Sequence, residues 1–146
     1  MSKTSYPKDK IKILFLEGIH PSAEMIFKGN GYDSIESVSG SVSEKELAKK
    51  IADVHLLGIR SKTQLTKNVL ENANKLIAAG AFCIGTNQID ISTATKHGIA
   101  IFNSPYSNTR SVAEIVIANC INLMRRIAEK NDAAHKGQWL KNSKDC

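Results

Sequence analysis

Apolar and polar positions fall into short blocks that recur along the chain. Residues 11–17 (IKILFLE) are a mostly apolar run between lysines and Gly18, the pattern of a strand buried on both faces. A helix opens at Pro21 and Ser22 and closes at Gly29, Asn30 and Gly31. A weaker strand is predicted over residues 35–39. Ser43 and Glu46 then stand in the spacing of a capping box, in which hydroxyl and carboxylate each satisfy one unpaired amide of a first helical turn, so a second helix runs on through Ile51. Residues 54–59 (VHLLGI) read as another buried strand, 66–73 as a third helix and 76–79 as a fourth strand. A short helix begins at Asp90 or Ser92 and ends at Lys96, His97 and Gly98, cation and glycine where a helix C-terminus favours them. Residues 100–103 form the fifth strand.

Strand and helix thus alternate at spacings of roughly 20 residues, which predicts a parallel sheet with helices on both faces and right-handed crossovers. In such sheets the ligand crevice lies beyond the carboxyl ends of the strands, so the loops to inspect are 17–20, 60–63, 85–88 and 104–110. Beyond them Ser111 and Glu114 repeat the capping-box spacing and predict a helix of about seventeen residues. Its Val112, Ile115, Val116, Ala118, Ile121, Leu123 and Ile127 are apolar nearly all round, which calls for burial on more than one side. The helix is therefore expected to be a connector whose far partner lies outside this core.

A chain of 146 residues has room for one core of about 100 to 150 residues plus an appendage. Aromatic content of only 5% points to a core of Ile, Leu, Val and Ala, as in α/β proteins. No apolar run reaches membrane-spanning length, and MSKTSYPKDK lacks the apolar middle of a signal peptide, so no membrane partner and a cytoplasmic location are expected. Cys83, Cys120 and Cys146 are odd in number and lack metal-ligand spacing, which favours reduced thiols and no metal site. The net charge of +6 is spread along the chain without interleaved aromatics, which argues against nucleic acid and for a small anion.

The loop Arg60-Ser61-Lys62-Thr63 places two cations and two hydroxyls at the mouth of a strand. Arg60 can grip a carboxylate or phosphate through paired hydrogen bonds and Lys62 offers a mobile point charge, although solvated loop charges account for the pattern equally well. Gly85 lets the backbone approach a ligand closely. Asn87 and Gln88 read equally as turn residues bonded to their own backbone, the better reading for Gln88. Gly29-Asn30-Gly31 resembles part of a nucleotide fingerprint but follows a helix, so its amides would not point from a helix N-terminus at a pyrophosphate. The chain has no Walker loop, no Gly-x-Ser-x-Gly elbow and no His-Glu-x-x-His. Of the isolated histidines His20, His55, His97 and His135, only His20 sits on a crevice loop.

The segments KDKIKILFLEGIH, LLGIRSKTQLT, GAFCIGTNQIDISTATKHGIAIFNSPYSNTRSVAEIVI and AAHKGQWLK resemble, in one register over essentially the whole chain, the N-terminal part of the D-isomer-specific 2-hydroxyacid dehydrogenases, in the branch acting on 3-phosphoglycerate. The combination of RSKT, IGTNQID and NSPYSNTRSVAE carries the likeness. It implies an NAD-dependent oxidoreductase, a homo-oligomer at full length, that converts 3-phosphoglycerate to 3-phosphohydroxypyruvate, the first step of L-serine biosynthesis. It also implies a flavodoxin-like, doubly wound, five-stranded parallel sheet, with 1–10 a flexible tail, 11–109 an incomplete substrate-binding domain, and 110–146 a connecting helix and the start of a nucleotide-binding Rossmann domain that is otherwise missing.

Position by position, the resemblance implies that Arg60 and Ser61 hold the substrate carboxylate, with the backbone of Ile84 and Gly85 facing it. Asn108 would line the same pocket and Val112 would lie near the nicotinamide. Lys62 stands where relatives often have Arg, and Lys141 matches a basic residue near the phosphate. Ser39 departs from relatives that have a lysine there. The family's glycine-rich turn, its ribose-binding acid and its catalytic arginine, glutamate and histidine would all lie beyond Cys146, as would the C-terminal segment that completes the substrate domain. No catalytic residue is therefore expected here. The chain is expected to be inactive alone and to expose apolar surface on the connecting helix and near the sheet. The alternative is a noncatalytic anion-binding or dimerisation module.

Overall fold

The computed structural model describes residues 6–141. The chain falls into two units, Met1–Pro105 and Tyr106–Cys146. The first is built on five strands: β1 (Ile13–Phe15), β2 (Ile35–Ser37), β3 (Leu56–Ile59), β4 (Ala78–Ala81) and β5 (Ala100–Asn103). Every neighbouring pair is parallel and the order is β2-β1-β3-β4-β5, that of flavodoxin-like sheets. Ile13 lies level with Ile35 and Leu56, and Leu56 with Ala78, so the carboxyl ends of the strands emerge along one edge.

The two-residue period of a strand puts Leu14, Leu16, Leu57, Ile59, Ala79 and Ala81 on one face. They close a single core with Leu47 of α2 (Glu44–Lys50), Ile51 in the 3-10 turn behind it, Val69 and Leu70 of α3 (Lys67–Glu71) and Ala94 of α4 (Ile91–Lys96). Each Leu or Ile so buried stabilises the fold by about 1.5–3 kcal/mol. The starts of these helices are written in their caps: Ser43 accepts from the Glu46 amide (3.3 Å), Thr66 from Val69 (3.4 Å) and Asp90 from Thr93 (2.9 Å).

The opposite face carries Phe15, Leu56, Gly58, Ala78, Gly80 and Phe102 and is only partly covered. Helix α1 (Pro21–Gly29) sends Phe27 edge-on to Phe15, with ring centroids 5.7 Å apart, yet buries none of its own residues. Met25, Ile26 and Phe102 stay exposed, and Phe15, Phe27, Leu56, Gly80 and Phe102 border an open apolar cavity of about 230 Å³. This is the uncovered apolar surface expected near the sheet. Gly58 leaves no free room for a side chain on this face, because a Cβ there would lie 2.6 Å from the Phe15 ring and 2.8 Å from Ile19 Cδ1.

Several boundaries shift from the sequence reading. The first strand stops short of Glu17, which turns into a left-handed conformation (φ 64°). The second strand ends at Ser37 instead of residue 39. The fourth spans Ala78–Ala81 because Leu76, which opened the apolar run, is buried in the turn that enters it.

In the second unit, α5 (Thr109–Met124) is followed by α6 (Ile127–His135). The predicted capping box at Ser111 does not form. The helix already starts at Thr109 behind Asn108, whose side chain makes no cap bond, and Arg110 takes the Glu114 carboxylate at 2.7 Å. The single helix predicted through Ile127 is also interrupted, since Arg126 adopts a left-handed conformation (φ 51°) and forks onto Glu129. No residue of α5 is buried, and Ile115 and Ile117 are each 60% exposed, so its apolar sides stay uncovered. Among the described residues, no helix is long and apolar enough to cross a membrane.

Candidate anion-binding site

Three loops converge at the carboxyl ends of β1, β3 and β4. Behind β1, Glu17 and Gly18 both take positive φ, and their amides donate to Gly40 and Val38 carbonyls at 3.0 and 3.1 Å, which ties the β1 loop to the segment after β2. This turn lays the Glu17 carboxylate beneath the loop behind β3. Oε1 accepts from the amides of Arg60 (3.1 Å) and Thr63 (2.8 Å), and Oε2 from that of Lys62 (3.0 Å). Among the described residues the Ser61 amide, in the middle of the same loop, has no partner.

Burial pushes the Glu17 carboxyl up, but the Thr63 side chain and the amides of Thr63, Lys62 and Arg60 outweigh it and hold the group below its ordinary value of 4.5. The Thr63 hydroxyl is buried and closes no well-aligned hydrogen bond, so its influence on the carboxylate is that of a nearby dipole.

Gln88 holds the β3 loop from the other side. It is only 4% exposed, and its Nε2 donates to the Arg60 carbonyl (2.9 Å) and, more weakly, to the Gly85 carbonyl (3.3 Å) and Cys83 Sγ (3.4 Å). The reading of Gln88 as a turn residue serving its own backbone is thereby corrected: its shortest bond reaches 28 residues back. Asn103 at the end of β5 donates to the Ile84 carbonyl (2.8 Å), and Cys83 Sγ to that of Gly85 (3.2 Å). With both carbonyls held, the amides of Ile84 and Gly85 have no partner among the described residues. A Cβ on Gly85 would lie 2.8 Å from Asn87 Oδ1, so what this glycine admits is the Asn87 side chain.

Glu17, Ser39, Ser41, Arg60, Ser61 and Lys62 border an open cavity of about 480 Å³. Arg60 and Lys62 are exposed and, among the described residues, have no acidic partner, whereas Lys12, Lys50 and Lys75 are paired with Asp53 or Glu36. The cavity wall at Ser39 is uncharged. His20 does not enter the site: its Nδ1 accepts from the Ser22 amide (3.2 Å) and caps α1.

The first unit thus brings together Arg60, Ser61 and Lys62, and joins them to Ile84 and Gly85 through Gln88. Asn108, Val112 and Lys141 belong to the second unit, where Asn108 precedes α5, Val112 is 49% exposed in its first turns, and Lys141 is exposed after α6. Sequence reasoning missed Glu17 and Gln88 as the residues that shape the site. The available signal was an acid at the end of a buried strand, on the very edge where cations collect. Among the described residues no three His, Cys, Asp or Glu side chains cluster as metal ligands. None fits the pyrophosphate of a dinucleotide either: the Asn30 and Gly31 amides close α1 onto Phe27 and Lys28 carbonyls, and no Gly-x-Gly-x-x-Gly turn joins a strand to a helix.

Residues 13–143 match the sequence model of the family described as D-isomer specific 2-hydroxyacid dehydrogenase, catalytic domain. The chain is 48% identical over 141 residues to a D-3-phosphoglycerate dehydrogenase of Escherichia coli (strain K12), covering 97% of this chain and 34% of that protein. It is 51% identical over 136 residues to D-3-phosphoglycerate dehydrogenase 1 of Saccharomyces cerevisiae, covering 93% of this chain and 29% of that one. The chain therefore spans about a third of the length of the relatives it matches. In fold it is similar to an acyclic imino acid reductase in complex with NADPH and D-Arg (TM-score 0.81, 20% identity, 93% of this chain and 44% of that one). A D-lactate dehydrogenase from Aquifex aeolicus, complexed with NAD and lactic acid, superposes with a TM-score of 0.75 at 22% identity, over 92% of this chain and 40% of that one. Sheet order, matched residues and identity to full-length relatives agree: the chain belongs to the D-isomer specific 2-hydroxyacid dehydrogenases, in the part of them that forms the catalytic domain.

Proposed function

We propose that this chain is the anion-gripping part of an NAD-dependent D-3-phosphoglycerate dehydrogenase, with 3-phosphoglycerate as its substrate. The observation that carries the reading is the loop 60–63, whose Arg60 and Lys62 side chains and unclaimed Ser61 amide border one open cavity at the carboxyl edge of the sheet. Arg60 would take the substrate carboxylate in paired hydrogen bonds, with Ser61 and the unpaired amides of Ile84 and Gly85 completing its shell. Lys62 and Lys141 would neutralise the phosphate, and Asn108 would contribute a neutral polar contact. In this reading residues 11–109 are the substrate-binding part and 110–146 lead into the nucleotide-binding part, where Val112 offers an apolar surface beside the nicotinamide. NAD, when bound to the full enzyme, takes up the hydride. No histidine borders the cavity among the described residues, so the proton carrier would come from outside this chain, which alone should not turn over.

Thermal denaturation with 3-phosphoglycerate tests the site. The ligand should raise the melting temperature of the unaltered chain, and Arg60→Ala should abolish the shift. No shift in the unaltered chain, or an undiminished one in Arg60→Ala, would refute the assignment. Turnover of 3-phosphoglycerate and NAD by the 146-residue chain alone would refute its predicted inactivity.

A further inference from the structure

We infer that Glu17 is a positioning residue: its carboxylate folds loop 60–63 around itself and thereby leaves the Ser61 amide and the Arg60 and Lys62 side chains facing the cavity. This rests on the reading of the cavity as an anion site. At first sight the residue is misplaced there, because among the described residues it is the only acid bordering the cavity and a negative charge repels an anion. The geometry resolves the conflict. Both oxygens are engaged, one by the Arg60 and Thr63 amides and the other by the Lys62 amide, so the charge is answered by three backbone dipoles. Hydrogen bonds to an ionised acceptor are roughly twice as strong as neutral ones, so this grip holds the loop more firmly than turn chemistry alone would.

A second, independent feature supports the role. Glu17 occupies the left-handed region (φ 64°), unusual for a residue with a side chain. That conformation persists because the Glu17 amide is tied to the Gly40 carbonyl (3.0 Å), and it is this turn that brings the carboxylate under the β3 loop. A loop of four residues that lines a ligand site would otherwise have to be ordered on binding, which weakens affinity. Held in advance, it presents its one unclaimed amide and two cations without that loss.

The role requires a carboxylate. In Glu17→Gln one oxygen becomes an NH2 group, so a donor faces a donor at the Lys62 amide in one side-chain orientation, or at the Arg60 and Thr63 amides in the other. Among the described residues the other charged groups at the cavity are Arg60 and Lys62, and His20 is committed to Ser22.

Backbone NMR of the 146-residue chain tests the inference. In the unaltered chain the amide shifts of Arg60, Lys62 and Thr63 should titrate together with a single midpoint below 4.5, the ordinary value for the group. In Glu17→Gln that titration should vanish, while core amides such as Leu57 and Ile59 keep their slow exchange. The affinity for 3-phosphoglycerate should fall about tenfold. Loop amides that do not titrate together in the unaltered chain, which needs no variant to fold, would overturn the inference, as would undiminished affinity in Glu17→Gln. Failure of the unaltered chain to bind 3-phosphoglycerate would instead overturn the anion-site reading, and the titration would still decide whether Glu17 holds the loop.

Discussion

Replacing Gln88 with methionine isolates the other hold on the same loop. The side chain is 4% exposed and methionine nearly matches its volume, so the change deletes a donor without opening a cavity. Two carbonyls are affected unequally. Gly85 loses a weak bond of 3.3 Å and keeps the Cys83 thiol at 3.2 Å, whereas Arg60 loses its bond of 2.9 Å. A fully buried acceptor left without a donor costs about 1–3 kcal/mol, and because residue 60 sits in an exposed loop that water reaches, the lower end, about 1 kcal/mol, applies. In a unit of this size that corresponds to a fall of about 4–8 °C in melting temperature. Affinity for 3-phosphoglycerate should drop only about two- to threefold, since Glu17 still holds the three amides. Circular dichroism melts with and without the ligand measure both quantities. A melting temperature unchanged within about 1 °C would show that the Gln88 bond contributes nothing net, and a loss above about 12 °C would show that Gln88 supports the core itself.

Gly58→Ala should destabilise by about 1–3 kcal/mol in urea unfolding, because the new Cβ meets the Phe15 ring at 2.6 Å, and Phe15→Leu in the same chain should recover part of that loss. The Glu17 carboxyl is held below its ordinary value of 4.5, so its contribution is complete above that pH and is lost as pH falls through the lowered value; between pH 6 and 3 the unaltered chain should lose more stability than Glu17→Gln, and equal losses would contradict the assignment. Phe102→Ser, on a side chain 64% exposed, should change stability by less than about 0.5 kcal/mol and leave the 3-phosphoglycerate response intact; loss of that response would show that the open face and the site are coupled.

What could be read in advance was what is local. The central strands β1 and β3 announced themselves as apolar runs because nearly all of their residues are buried, and the helix starts at Ser43 and Asp90 because a cap and its amide are three positions apart. The same locality misled at Ser111, where the capping spacing recurs inside a helix and Arg110 competes for Glu114 through a neighbouring turn. The break at Arg126 had no signal, since arginine is an ordinary helix former and nothing in its type marks a left-handed residue. Arg60, Ser61 and Lys62 were legible as charges and hydroxyls on a post-strand loop. Glu17 and Gln88 were not, because their partners lie 43 to 46 and 28 residues away and become neighbours only when the strands align.

That alignment also decides why the cations sit behind β3 and not elsewhere. In the order β2-β1-β3-β4-β5 the third strand is central, so its loop is flanked by the loops of both β1 and β4. Each flank contributes one side chain, Glu17 taking the amides of the loop and Gln88 its first carbonyl. The loop behind the edge strand β2 has a neighbour on one side only and is tied through backbone bonds to Glu17 and Gly18. An edge loop can wall a cavity, as Ser39 and Ser41 do, but only a central one can be fixed from two directions. Placing Arg60 on the doubly held loop fixes the backbone that carries its guanidinium before any anion arrives, and preorganisation of that kind is what raises affinity without adding contacts.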